Sequence, residues 1–426
     1  MAGPPRTSSL PDLSRDFTKP ALTNIYEREF VQKSVFFKQR PYSSQVPFSY
    51  KCVSKWERRT VEDVFKIYYN DNFCGSPSDI MSRIGFVGNL SKEQKEYIET
   101  IKKYLHIDVG DGELSEVYIA NVPRDRLIVD SKLKEILENL DNEKEEYTSV
   151  DSGSVYNYVC LGFWLTAYSA YSALTYIFRH IRGRVYKFIC SITDLLDALQ
   201  VCRNISDAYD GGHYTTLFRT FADLCCLNAK LGFSKSDQST WKNLGDLDNV
   251  ISQPNIRLFK HGVFTKSSID RNRVVSVVQV KKRRHQIDLD SSDSDGEACT
   301  STSSFSSMRS SNSSDSSEDA PKIELLLNNA VLGQHAGELL LDLNKFVTKD
   351  CDTDKYKMSG MIVNGTMVFV TVLEMSRQHY IKLAANKELE DGDKAIIYYS
   401  RPFNILNESD RNVLIESFVR LNNMQR

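Results

Sequence analysis

The sequence predicts an α/β (α+β) protein in which a mainly helical N-terminal region precedes a mixed-sheet domain. Three observations carry this. Up to about residue 250 the apolar residues recur mostly three and four apart, the spacing of a helix face. After Pro254 the pattern changes to β-rich runs, RLFKHGVFTK and RVVSVVQVKK. Beyond a serine-rich interruption, helical and β-rich runs alternate to the end of the chain.

Residues 1–23 are rich in Pro, Ser and Thr and read as a flexible arm. Residues 24–150 form the mainly helical region. Thr60-Val61-Glu62-Asp63 resembles a capping box opening EDVFKIYY, and Ser91-Lys92-Glu93-Gln94 is a full one opening KEQKEYIETIKKYL. Asp130 is placed to cap SKLKEILENL, and YIANVPRDRLIVD predicts a short strand on each side of Pro123. Residues 151–426 form the α/β domain. YTTLFRTFADLCCLNAKLGF sets Leu217, Phe221, Leu224, Leu227 and Leu231 at helical spacing, with Gly232 in the C-cap position. The two β-rich runs after Pro254 read as a hairpin joined through SSIDRN.

Residues 288–321 carry mostly serine and aspartate and almost no large apolar groups. Such a segment cannot offset the entropy of ordering, so a disordered insertion is expected there. KIELLLNNAVLGQHAGELLLDLNKF then predicts a helix or two, interrupted at Gly333 and Gly337. SGMIVNGTMVFVTVLEM predicts a hairpin turning at Asn364-Gly365. YIKLA and AIIYYS read as further strands, and ESDRNVLIESFVRLNNM as a closing helix.

Bulk properties narrow the function. Hydrophobic content is 41%, charged content 26% and net charge −2, so any attraction to nucleic acid must come from a local patch. Nine cysteines without a C-x-x-C pair, and no apolar leader at the start, point to reduced thiols inside the cell and indicate no zinc site. The uncharged stretch from 152 to 178, followed by Arg179, Arg182 and Arg184, has the length of a membrane span. Tyr168, Ser169, Tyr171, Ser172 and Thr175 within it favour a buried helix instead. The phosphate-loop, dinucleotide and nucleophile-elbow motifs do not occur.

Between Pro254 and Gln286 nine cations face one acid, Asp270. Lys260, Lys266, Arg271, Arg273, Lys282, Arg283 and Arg284 are the candidate contacts to DNA or RNA, since phosphate binding needs such a local excess. Within the same run, Val274-Val275-Ser276-Val277-Val278-Gln279-Val280-Lys281 resembles the core strand of the PD-(D/E)XK nuclease superfamily, in a degenerate form of the fungal and oomycete type. The resemblance covers about residues 190–426 and implies a restriction-endonuclease-like fold. In that family an acid or Gln stands two residues before a Lys at the end of a buried strand, the preceding strand supplies an Asp, and a helix and a further strand follow. The acids hold Mg²⁺, which activates water, and the lysine orients the water or stabilises the transition state. Gln279 and Lys281 occupy the corresponding positions and are the candidate catalytic residues. The preceding run, KHGVFTK, offers His261 and Gly262 where an Asp is expected. The resemblance therefore implies a degenerate site without a cofactor; Mg²⁺ belongs only to the alternative of an active nuclease.

Lys281 to Arg284 also suit a nuclear import receptor, which binds extended basic peptides. Ile287-Asp288-Leu289-Asp290, followed by acids and by Ser291, Ser292 and Ser294, resembles a peptide that adds as a strand to a small ubiquitin-like modifier. Kinases directed by acids could add charge at those serines. The reading is a nuclear protein, with the cytoplasm as alternative, that binds nucleic acid through a nuclease-like domain and carries a regulated docking loop. An active Mg²⁺-dependent DNA nuclease and a pure interaction adaptor are the alternatives.

Overall fold

Helices α1 (Arg58–Phe65), α2 (Pro77–Ile84), α3 (Lys92–Tyr104), α4 (Ile128–Val150), α5 (Trp164–Val201) and α6 (Gly212–Leu224) are interrupted early by a short strand, β1 (Ile67–Tyr69). Strands β2 (Leu227–Leu231), β3 (Ser239–Leu244), β4 (Leu247–Ser252), β5 (Ile256–Lys260) and β6 (Val274–Lys281) follow. The chain continues through α7 (Ile323–Leu326), α8 (Asn329–Phe346), β7 (Lys355–Asn364), β8 (Met367–Ser376), α9 (Arg377–Ala384), β9 (Ala395–Tyr399), β10 (Phe403–Asn404) and α10 (Glu408–Leu421). This computed structural model describes residues 52–73, 75–84, 88–107, 119, 121–150, 164–201, 212–232, 237–244, 247–261, 264, 274–281, 322–346 and 354–424. Residues 1–23 and the serine-rich insertion 288–321 lie outside the described residues, as do residues 152–163 of the uncharged stretch.

The architecture is α/β. An eight-stranded mixed sheet runs β1-β9-β8-β7-β6-β5-β2, with β10 added beside β8. β2, β5 and β6 form an antiparallel meander, β7 lies parallel to β6, and β1 lies parallel to β9. Every residue of β5 is buried, as is every residue of β6 except half-buried Lys281, because helices cover both faces. One face packs on α3, α5, α6 and α10 through residues such as Tyr97, Phe188, Phe221 and Phe418. The other packs on α8, the β3–β4 hairpin and the segment around Trp56. From Phe48 to Arg426 the chain is one compact unit, so helices that precede residue 150 share cores with the sheet.

Several local expectations hold in detail. Ser91 caps α3 with both hydrogen bonds of the capping box in place. Gly365, at φ 63°, turns the β7–β8 hairpin, in which Asn364 pairs with Met367. Other expectations are corrected. Helix α1 starts at Arg58, before Thr60, and its first turn is held by the Arg58–Glu62 pair. Asp130 sits inside the first turn of α4, where it takes Arg124 and Lys134; Pro123 is followed by a 3-10 turn and then that helix, and the described residues just before it, Ile119 and Asn121, are helical, so no strand stands on either side among the described residues.

Helix α6 ends at Leu224; the chain turns at Cys226, φ 58°, and Leu227 to Leu231 become β2. A spacing of four fits both a helix face and one side of a strand, so the leucines alone do not choose. YIKLA is not a strand but the end of α9, whose N-cap is Ser376, with Oγ accepting from the His379 amide. The β3–β4 hairpin has no counterpart in the expectation of a helical segment to residue 250.

Gly333 and Gly337 do not interrupt a helix: α8 runs through both. They let the segment around Trp56 approach the helix backbone. A Cβ on Gly333 would fall 2.2 Å from the Glu57 carbonyl carbon, and one on Gly337 would fall 2.6 Å from both Trp56 and Val53. Trp56 in turn stacks on Phe65 at 4.8 Å, and the Tyr69 hydroxyl donates to the Leu332 carbonyl. Among the described residues, no helix is long and apolar enough to cross a membrane.

Candidate functional site

Alternation along β6 sends Val277, Gln279 and Lys281 to the face covered by α8. Two contacts fix how that helix lies over the strand. At one end the Lys281 ammonium donates to Oε1 of Gln334 at 2.8 Å. At the other, Asp342 accepts from the Arg257 guanidinium at 2.5 and 2.8 Å, and Arg257 is the β5 partner of Val277. Between these contacts α8 crosses the sheet: His335 bonds Thr371 of β8, His335 and Leu339 lie against Gly360 of β7, and Asp342 reaches Arg257 of β5.

The polar groups form a chain from the sheet end inward. Gln334 accepts from Lys281 and donates through Nε2 to Oε1 of Glu338 at 2.8 Å. Glu338 is buried, and burial pushes its carboxyl up to about 8, against the opposing effects of the Gln334 hydrogen bond and the Lys281 charge. It therefore carries a proton at neutral pH. Gln279 is fully buried, and among the described residues neither polar atom of its amide has a hydrogen-bond partner. Asp342 is occupied by Arg257 and Ser239 in a buried ion pair that ties the β3–β4 hairpin to the core. Nearby His335, held near 3 by burial, is neutral and bonded to Thr371.

The strand expected to supply an Asp meets this site at its other end. β5 and β6 are antiparallel, with Ile256 opposite Val278, so the residue beside Lys281 is one that precedes β5. Counting back, Asn255 falls opposite Gln279 and Gln253 opposite Lys281; Asn255 is exposed, and its Oδ1 accepts from the Val280 amide at 2.9 Å. His261, at the far end of β5, is six residues or about 20 Å away along the strand. It is engaged by Arg184, and its amide donates to Asn422. Asn255, Gln334 and Glu338 were not singled out from the sequence. Asn255 follows Pro254 at the head of a buried strand, and Gln334 and Glu338 are polar positions four apart in an apolar helix; those were the available signals.

The basic residues also divide. Lys260, almost buried, pairs in register with Leu227 at the hairpin end of β5, while Lys281 ends β6 at the opposite edge. Eight residues of β6 separate the two ends, about 25 Å. Lys266, Arg271 and Arg273 belong by sequence to the first end and Lys282, Arg283 and Arg284 to the second; all six lie outside the described residues, as do Ile287, Asp288, Leu289 and Asp290.

Among the described residues, the polar side chains at this end of β6 are thus Lys281 with its partner Gln334, the neighbouring amides Gln279 and Asn255, and the protonated carboxyl of Glu338. Mg²⁺ is held by ionised carboxylates and water, and this donor set does not fit it. Among the described residues no three His, Cys, Asp or Glu side chains converge as a metal site would need. Compared with protein-family models, with curated proteins and with solved structures, the chain gives no significant match.

Proposed function

We propose that the chain is a nucleic-acid-binding protein built on a degenerate, non-cleaving PD-(D/E)XK-like core. The observation that carries this is the Lys281 end of β6, where the polar side chains on and beside the strand are the amides Gln279, Gln334 and Asn255 and not ionised carboxylates. After β5 and β6 the chain passes through helices α7 and α8 into β7, which lies parallel to β6; a helix and a further strand after the lysine strand are what the resemblance implies. Asn255 stands where the preceding strand would bring its Asp and Gln279 where the acid before the lysine would stand. Both keep the shape of a carboxylate and lack its charge. Lys281 remains, at the end that continues into Lys282, Arg283 and Arg284, and this end is the proposed phosphate contact. On this reading the same basic run serves nuclear import, and the segment from Ile287 to Asp290 is the regulated docking peptide.

The test is a gel shift and a plasmid-cleavage assay on the full chain, with and without Mg²⁺ or Mn²⁺. Binding without cutting is expected. Neutralising Lys282, Arg283 and Arg284 together should reduce the slope of log affinity against log salt by up to about 2.7 for duplex DNA. Metal-dependent cutting that Lys281→Ala abolishes would establish the active nuclease instead. Neither binding nor cutting would leave the adaptor reading.

A further inference from the structure

Strands β5 and β6 are buried on both sides, but the corner of the sheet where β7 begins is partly open. The register defines what that corner shows. Lys357 of β7, Glu374 of β8, Ile396 of β9 and Tyr68 of β1 stand in one row across four strands. The residues that follow or precede them, Tyr356, Met375, Ile397 and Tyr69, are buried in the core under α8, so the row points to the opposite face. All four of its side chains are half-buried. Three interstrand spacings make the row about 14 Å long.

Cations rim this row. Lys355, exposed, lies two residues before Lys357 on the same face. Lys394, also exposed, lines a cleft of about 260 Å³ at the β1 edge together with Tyr68 and Ile396. Glu62 and Asp71 line the cleft too, and Glu62 is held by Arg58. Tyr398, two residues beyond Ile396, carries the Arg83 guanidinium over its ring at 4.1 Å. The strand residues of the corner offer one acid, Glu374, which Lys355 and Lys357 already hold. Glu390 and Asp393, in the loop before β9, are taken by Lys382 of α9, a helix whose Leu383 packs into the core on the other face. Cations beside aromatic faces suit a single-stranded nucleic acid, whose backbone follows the charges and whose bases stack on tyrosine or guanidinium. A duplex keeps its base faces inside its own stack.

We propose that this corner binds single-stranded nucleic acid, with Tyr68 stacking on a base and Lys355 and Lys394 meeting the backbone. The inference goes beyond the duplex contact at Lys281 and does not rest on it. Lys281 pairs with Asn364 at the far end of β7, ten residues or about 30 Å from this corner.

Fluorescence anisotropy of the full chain with a labelled single-stranded oligonucleotide of mixed sequence, in DNA and RNA versions, tests it. Tyr68→Ala should weaken binding about five-fold or more. Excess unlabelled duplex of the same sequence should displace little of the probe. Lys355→Gln combined with Lys394→Gln, both at exposed positions, should reduce the slope of log affinity against log salt by about 1.4. That pair carries the test if Tyr68→Ala does not fold. Neutralising Lys282, Arg283 and Arg284 reads the other end of the sheet and should leave these effects in place. Wild-type affinity in the tyrosine and lysine variants, displacement by duplex as efficient as by single strand, or no single-strand binding by the full chain overturns the proposal. So does a poly-glutamate probe that binds in place of the oligonucleotide and is lost with the two lysines, which would mark a surface for acidic peptides.

Discussion

Replacing Glu338 by glutamine should change how stability depends on pH. Burial raises this carboxyl from 4.5 to about 8. Between those values the unfolded chain has lost the proton and the folded chain still holds it. The unfolded state therefore binds fewer protons, and stability falls as pH rises through this window. The shift corresponds to a loss of about 5 kcal/mol over the whole window and about 3 kcal/mol by pH 7, at 1.36 kcal/mol per unit. Above about 8 both states are ionised and the loss is complete. Glu338→Gln does not titrate and still accepts from Gln334. The other groups that face the position, Lys281, Arg257 and Asp342, are common to both proteins. So is His335, whose depressed value gives the opposite slope below 6.5. Urea unfolding of both proteins from pH 4.5 to 9 measures the difference. The variant should be more stable by about 3 kcal/mol at pH 7, with the gap closing towards pH 4.5. Parallel profiles would refute the reasoning and mean that Glu338 is ionised in the folded protein.

Gly337→Ala should destabilise by about 1–2 kcal/mol, because overpacking against Trp56 and Val53 outweighs the gain of about 1 kcal/mol in helix propensity; urea unfolding reads the sign. Arg257→Met should cost about 3–5 kcal/mol by leaving Asp342 buried and unpaired. Adding Asp342→Leu should recover most of that loss, and a double variant as unstable as the single would show that packing rather than charge is at stake.

The fold was legible wherever one pattern excluded the others. The Ser91 box, the Asn364-Gly365 turn and the continuous valines of β6 each admit one reading. Where a pattern served two structures, tertiary pairing decided. Leu227 and Leu231 fit helix and strand alike until β5 takes them. Gly333 and Gly337 look like breaks along the chain and act as contact surfaces across it. The β3–β4 hairpin carried a usable signal, Gly245-Asp246 between Trp241 and Val250, that the surrounding helical expectation masked. For the site, Gln279 and Lys281 were visible as a strand-end pair. Their neighbours were not, because Asn255 is set by strand direction and Glu338 by the register of a helix that follows a long insertion. Neither is a property of local sequence.

The pairing of β1 with β9 has a consequence for how the molecule is made. Ile67 stands 328 positions ahead of its partner Ala395. On a ribosome adding roughly 5–20 residues per second, the first strand waits on the order of half a minute for the strand beside it. The glycine face of α8 waits for nothing, since Val53 and Trp56 are already synthesised when it emerges. Helix α8 can therefore gather the early segment before the sheet edge closes, and that early segment acts as a built-in holder for the core it later completes. A fragment that begins near residue 190 would lack both the holder and the edge strand.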